Sequence, residues 1–364
     1  MRITVQKEFL VNGIQAVMGA VTLKNTLPIL SNLLIEASSD NVKITATDLD
    51  IGITATIQAV VEDKGAVTVP AKRFADIIKE LPDSEIEITA KKNNTIIIAT
   101  NTTTFKILTT PKDEFPQLPT PITKEEITLK QNNLKRMLLA TTFAISKDET
   151  RYVLNGICFV LTKKYIQLVA TDGRRLAIVN QKQETEIQEE KKYIIPTKTT
   201  QELLKNLNET EQIKIQFSKN QVTFYLNNLH IVSRLIEGEF PDYKQAIPKK
   251  IDKTIIIERN KLIPAIKRAS LLTTPESQAI KLHLTKNKLT ISKTTPEIGE
   301  AKEEIEAQYT GAELLIGFNP TYLLEVLRSI KQETVEFELT GPEKPGVIRI
   351  NNTYLYIILP MQIS

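Results

Sequence analysis

Tryptophan is absent, aromatic residues make up only 5% of the chain, and there is one cysteine among 364 residues. A single cysteine cannot close a disulfide within the chain, and such usage matches a reducing compartment. Cys158 sits in the apolar run Gly156-Ile157-Cys158-Phe159-Val160, where a thiol reads as a small core residue. The two histidines, His230 and His283, fall in separate strand-like runs. No Cys/His group has zinc spacing, and the 12 glycines form no phosphate-cradling loop. Asp48, Asp50 and Asp172 lie in turn-like surroundings, and no Ser/His/Asp set has local support. A catalytic centre, a metal site and a cofactor are therefore not expected. No apolar run approaches ~18 residues and the N-terminus lacks an apolar leader, so neither a membrane span nor a secretory signal is expected. A cytoplasmic location follows from these absences.

What is present is ordinary in bulk: 41% hydrophobic and 25% charged residues, enough chain for two or three domains with aliphatic cores. The formal charge of +4 is mild. It does not by itself require a polyanionic partner, so the placement of the basic residues matters more.

The informative signal is repetition. An apolar stripe with helical spacing, Leu10, Ile14, Val17 and Val21, recurs at Leu134, Leu138, Thr141 and Ile145, and again at Leu262, Ile266, Ala269 and Thr273. The spacing predicts helices within 5–21, 129–146 and 257–274. A second helix type also occurs three times, each opening near a proline: Val69-Pro70-Ala71, Ile195-Pro196-Thr197 and Asn319-Pro320-Thr321. Strand-like runs with period-2 alternation follow each helix, broken by Lys-Asn, Asn-Asn and Asp-Asn turns. Asp113-Glu114-Phe115-Pro116 and Glu239-Phe240-Pro241 close the first two copies, with linkers over 116–126 and 241–253. The reading is an α+β chain of three tandem domains, 1–121, 122–249 and 250–364, each with two helices and an antiparallel sheet.

One phrase stands out within the repeat. Thr171-Asp172-Gly173-Arg174-Arg175-Leu176 echoes Thr47-Asp48-Leu49-Asp50, while the third copy has Lys293-Thr294-Thr295-Pro296 instead. Asp-Gly is a tight-turn signal. A purely architectural turn should look alike in all copies, so the Arg174-Arg175 version reads as a specialised surface that faces a protein partner.

The chain resembles the bacterial β sliding clamp family, the processivity subunit of the replicative DNA polymerase. The resemblance spans the whole chain. It rests on Thr26-Leu27-Pro28-Ile29-Leu30-Ser31-Asn32, Val69-Pro70-Ala71 and Arg151-Tyr152-Val153-Leu154-Asn155-Gly156. It also rests on Ala170 through Leu176, Phe240-Pro241-Asp242-Tyr243 and Leu359-Pro360-Met361. It implies a noncatalytic clamp: a head-to-tail homodimer whose six domains close a ring around duplex DNA without sequence preference. The implied partners are the replicative polymerase, a clamp-loader complex, and repair and translesion polymerases. Lys24, Arg73, Lys147, Tyr152 and Lys198 occupy positions implied to approach DNA. The implied partner-peptide pocket combines Leu154, Thr171, Gly173, Arg174, Arg175, Leu176, Pro241 and Ala246 with Ile357, Ile358, Leu359, Pro360 and Met361. Gln245 and Gln362 stand where relatives are often basic. Phe105, Leu271 and Leu272 match apolar positions of the dimer contact.

The residues add their own support to the DNA reading. Basic residues off the apolar stripes, including Lys72, Lys135, Arg136, Lys205, Arg259, Lys267 and Arg268, recur on related helices, as nonspecific phosphate attraction requires. The alternative is a monomeric peptide-binding scaffold of the same fold. A carboxylate-dependent nuclease is a remote third reading.

Overall fold

The computed structural model describes residues 1–22, 27–82, 84–91, 93–119, 125–249 and 252–363. The first copy runs β1 Arg2–Gln6, α1 Lys7–Val17, β2 Asn32–Ser38, β3 Asn41–Thr47, β4 Ile51–Gln58, β5 Val60–Asp63, β6 Gly65–Pro70, α2 Ala71–Glu80, β7 Glu85–Lys91, β8 Thr95–Ala99 and β9 Thr104–Leu108. The second is β10 Glu125–Lys130, α3 Gln131–Leu139, β11 Gly156–Leu161, β12 Tyr165–Thr171, β13 Arg175–Lys182, β14 Lys191–Pro196, α4 Thr197–Asn206, β15 Gln212–Phe217, β16 Gln221–Leu226 and β17 Leu229–Arg234. The third is β18 Lys253–Glu258, α5 Arg259–Ala269, β19 Ile280–Thr285, β20 Lys288–Thr295, β21 Gly299–Glu306, β22 Leu314–Phe318, α6 Pro320–Ser329, β23 Thr334–Leu339, β24 Gly346–Ile350 and β25 Tyr354–Ile358. Among the described residues each copy thus holds two α-helices among antiparallel strands, as the repeat implied.

The first helix of each copy is shorter than its stripe. A strand runs straight into it, and a 3-10 turn closes it: Met18–Ala20, Thr142–Ala144 and Ser270–Leu272. Tightening to i→i+3 bonds satisfies some of the carbonyls a helix end leaves open. The strands β1, β10 and β18 were invisible to the periodicity because no turn residue separates them from the helices they feed. α1 buries Leu10, Ile14 and Val17, with Gly13 between them. A Cβ on Gly13 would meet Ile57 Cγ2 at 2.8 Å, so the glycine is what lets α1 approach β4.

The chain forms two compact units, and both cut through the middle copy. Met1–Asn132 with Gln201–Leu235 builds an eight-stranded sheet of order β10-β15-β16-β17-β4-β3-β2-β6 and a five-stranded sheet, β5-β1-β7-β8-β9. Asn133–Thr200 with Ile236–Ser364 builds an eight-stranded sheet of order β14-β11-β12-β13-β25-β24-β23-β18 and a four-stranded one, β21-β20-β19-β22.

Read from β6 and from β14, the two large sheets are the same object. Four strands of one copy are joined to four of the next, at β4–β17 in one and β13–β25 in the other. The registers match residue for residue at the seam. Ile51 faces Ser233 and Gly52 faces Val232, as Arg175 faces Ile358 and Leu176 faces Ile357. The next backbone bond matches too: Arg234 N–H donates to Asp50 O at 2.8 Å, and Leu359 N–H to Arg174 O at 2.9 Å.

Candidate docking site and nucleic-acid interface

The Thr-Asp turn is a hydrogen-bonded module. Thr171 Oγ1 accepts from Gly173 N–H at 3.0 Å, and Asp172 Oδ1 accepts from Arg174 N–H at 2.9 Å and Arg175 N–H at 3.0 Å. Thr47 and Asp48 repeat this set: Leu49 N–H to Thr47 Oγ1 at 3.0 Å, Asp50 N–H and Ile51 N–H to Asp48 Oδ1 at 3.0 and 2.8 Å. Gly173, Leu49 and Glu297, the last in the β20–β21 turn, all have positive φ, at 86°, 80° and 65°. The first two turns close alike, Thr171 pairing with Leu176 and Thr47 with Gly52, whereas the third is one residue shorter, Thr295 pairing with Gly299, so the positive φ recurs but the turn of the third copy differs. Glycine is the low-strain choice at that position, and the leucine and glutamate tolerate it.

What is special in the middle copy is Arg175. Its side chain is 5% exposed. Nε donates to Asp172 Oδ2 at 3.0 Å, Nη1 to Glu325 Oε2 and Nη2 to Phe143 O. The guanidinium lies 4.1 Å from the centre of the Tyr322 ring and 5.5 Å from that of Phe143. Arg175 does not face outward, contrary to the reading of the Arg174–Arg175 pair. It ties the turn to α6, whereas Arg174 is exposed. No sequence signal pointed to Glu325, which is 150 positions away. Ile358 is likewise fully buried and pairs with Arg175 across the strands, on the opposite side of β25 from Ile357.

The other face of this sheet gathers the apolar part of the expected pocket. Leu154, Leu176 and Ile357 belong to one cluster with Val169, Ile178, Val347, Leu355, Phe240 and Tyr243. Phe240 and Tyr243 come from the stretch after β17 and lie edge to face, 6.3 Å between ring centres. Tyr243 donates its hydroxyl hydrogen to Gln167 Oε1, and burial pushes its phenol well above the ordinary range. Pro241, Gln245 and Ala246 are exposed at the rim, and Gln245 Nε2 donates to Asp242 Oδ2 at 2.9 Å. Leu359 is 43% exposed, Pro360 and Met361 half-buried, and Met361 N–H donates to Gly317 O at 2.8 Å. The arrangement is an aliphatic floor with exposed backbone and small residues around it, the chemistry that receives apolar anchors of a short segment.

Among the expected DNA contacts, Arg73 on α2, Lys198 on α4, and Lys147 and Tyr152 in the 147–152 segment are all exposed; Lys24 lies outside the described residues. Several other basic residues serve the fold instead. Arg259 donates to Gln332 O at 2.7 Å and Leu327 O at 3.3 Å, closing the end of α6. Arg268 grips Glu303 with both Nε and Nη2, Lys205 pairs with Glu202 at 2.6 Å, and Arg136 donates to Gln181 at 2.9 Å.

Phe105 on β9 is 37% exposed and Leu271 76%, both too open for ordinary core; Leu272 is half-buried. Among the described residues, no three His, Cys, Asp or Glu side chains converge as a metal site, and no helix is long and apolar enough to cross a membrane.

Three tandem copies of a two-helix clamp domain, sharing sheets across their junctions, define a DNA-clamp type of protein. The sequence matches the DNA polymerase III beta subunit in its N-terminal domain over residues 1–119, its central domain over 128–242 and its C-terminal domain over 244–362. The chain belongs to the DNA polymerase III beta subunit family. It is 32% identical over 367 residues to the beta sliding clamp of Escherichia coli K12, covering all of both chains. Over the full length of both chains it also matches the Bacillus subtilis sliding clamp, with TM-score 0.96 and 32% identity. The Pseudomonas aeruginosa DnaN clamp, solved bound to griselimycin, matches equally fully, with TM-score 0.96 and 31% identity.

Proposed function

We propose that this chain is a DNA sliding clamp, a noncatalytic processivity factor that closes into a ring of two subunits and six domains, divided at 1–121, 122–249 and 250–364. The carrying observation is an incomplete third sheet. In both complete sheets, the fourth strand of one copy pairs with a strand of the next. Among the described residues, β9, the counterpart of β17, pairs only with β8, and β21, the counterpart of β4 and β13, pairs only with β20. Joining β21 of one chain to β9 of another would give β22-β19-β20-β21-β9-β8-β7-β1, the order of the other two sheets, with β5 added beyond β1. Such a contact is heterologous, and it closes a ring when the rotation per step fits. Phe105, Leu271 and Leu272 are the apolar residues assigned to it. An unpaired strand edge seeks a partner, and a second copy supplies one.

DNA passes through the ring without base readout, attracted by Arg73, Lys147, Tyr152, Lys198 and Lys24. The face around Leu154, Thr171, Gly173, Arg174, Leu176, Pro241, Ala246, Ile357 and Leu359 to Met361 docks the replicative polymerase, the clamp loader, and repair and translesion polymerases through short segments. Arg175 and Ile358 support it from beneath. A cytoplasmic location accords with this role. Tethering raises the polymerase's effective concentration at the primer end, so no tight DNA contact is needed.

The test loads the protein on nicked circular DNA with a clamp loader. Retention at moderate salt that is lost on linearisation is the expected result. Equal retention on linear DNA would remove encirclement and leave the monomeric scaffold.

A further inference from the structure

The outer face of the first eight-stranded sheet occupies the place that the docking face occupies on the second, but its chemistry has been exchanged. With positions matched through the common register, Val169, Ile178, Val347 and Leu355 become Thr45, Thr54, Thr223 and His230, and Leu176 becomes Gly52. The segment 112–119 roofs this face as the stretch after β17 roofs the other, and a groove of about 830 Å³ remains between roof and sheet.

A polar sheet face is ordinarily just solvated. Thr223 is not: it lines the groove, is 1% exposed, and its hydroxyl has no hydrogen-bond partner. Buried hydroxyls are nearly always paired, and an orphan carries a desolvation cost until something pairs with it. The Thr45 and Thr54 hydroxyls line the same groove, 3.0 Å from each other, with β17 between them and Thr223. The charged groups lining the groove balance, Lys43 and Lys112 against Glu36 and Asp113, and burial and Lys43 lower the pKa of His230, favouring its neutral form.

We propose that this groove is a second docking site, for a short extended protein segment anchored by a neutral carboxamide or hydroxyl side chain rather than an aliphatic one. The inference rests on reading the matching face of the other sheet as a docking face. The groove crosses five strands, β2, β3, β4, β17 and β16, so about 19 Å at a strand spacing near 4.8 Å, which an extended segment of about six residues spans. Balanced charge gives neither an acidic nor a basic segment an advantage. An aliphatic anchor would leave the Thr223 hydroxyl unpaired, whereas Gln, Asn, Ser or Thr satisfies it. Sites built to hydrogen-bond reject analogues that cannot.

The experiment titrates blocked hexapeptides, alternating Ala with Gln, Leu, Asp or Lys, into the intact protein with ¹³C-labelled Thr, Leu and Ile methyls. The Gln–Ala peptide should shift the Thr45, Thr54 and Thr223 methyls along a saturable curve. Thr223→Val should weaken that binding about tenfold, as loss of one buried hydrogen bond does, while Thr223→Ser should keep it. No saturable shift, equal or tighter response to the Leu, Asp or Lys peptide, or undiminished binding by Thr223→Val would each overturn the proposal. The Leu–Ala peptide reports separately through the Leu176 and Ile357 methyls; silence there with a Thr response to the Gln–Ala peptide sinks the aliphatic docking reading alone.

Discussion

The two eight-stranded sheets share strand order and seam register, yet their outer faces have diverged. The second sheet carries Val169, Leu176, Ile178, Val347, Leu355 and Ile357 under Phe240 and Tyr243, an apolar layer. The first carries Thr45, Gly52, Thr54, Thr223, Val232 and His230 at the matching places. The backbone duplicates; the chemistry of the outer face does not. Side chains on one face of a strand can change without disturbing the ladder or the other face, because alternation separates them. On the opposite face, Ile44, Ile53 and Ile231 in one sheet match the buried Leu168, Ala177 and Tyr356 in the other, the tyrosine adding a hydroxyl that donates to Tyr322 O at 3.1 Å.

The seam differs in the same way. Position 51 is isoleucine in the first sheet, and its counterpart Arg175 is the buried hub joining Asp172, Glu325, Tyr322 and the Phe143 carbonyl. Removing that hub is the largest expected break. Arg175→Met should cost about 3 kcal/mol, because it strands Asp172 and the partly buried Glu325 without their cation. Chemical denaturation measures it. A cost under about 1 kcal/mol would reduce Arg175 to a surface residue. Restoring the apolar pattern on the first sheet is the smaller break. A Cβ on Gly52 would meet Leu118 Cδ2 at 2.3 Å, since Leu118 fills the space that a side chain at 52 would take. Gly52→Leu should cost about 2 kcal/mol by overpacking, and adding Leu118→Ala should recover at least half of it. Additive costs in the double-mutant cycle would show that the two residues do not share that space.

The repeat, the two helices per copy and the strand-like runs that follow each helix were legible in the sequence. Alternation between turn residues marks such strands clearly. β1, β10 and β18 were not legible, since each passes into a helix without punctuation, and β14 and β22 hide in the apolar run before the second helix. Of the pocket residues implied by the family resemblance, Leu154, Leu176 and Ile357 share one apolar cluster, whereas Arg175 and Ile358 are buried on the opposite face of the sheet. Which side of a strand a residue serves depends on register across a seam between copies, and one sequence does not encode that register locally. The exchange of sheets between copies was hidden for the same reason: the pairing of β4 with β17 spans some 180 positions.

That seam also carries the account of the ring. If β21 and β9 are the two halves of a third seam, the isolated chain is incomplete. Sedimentation equilibrium at micromolar concentration tests this most directly. Two chains of 41.0 kDa should give a species of about 82 kDa; a stable species of single-chain mass would contradict the closed ring.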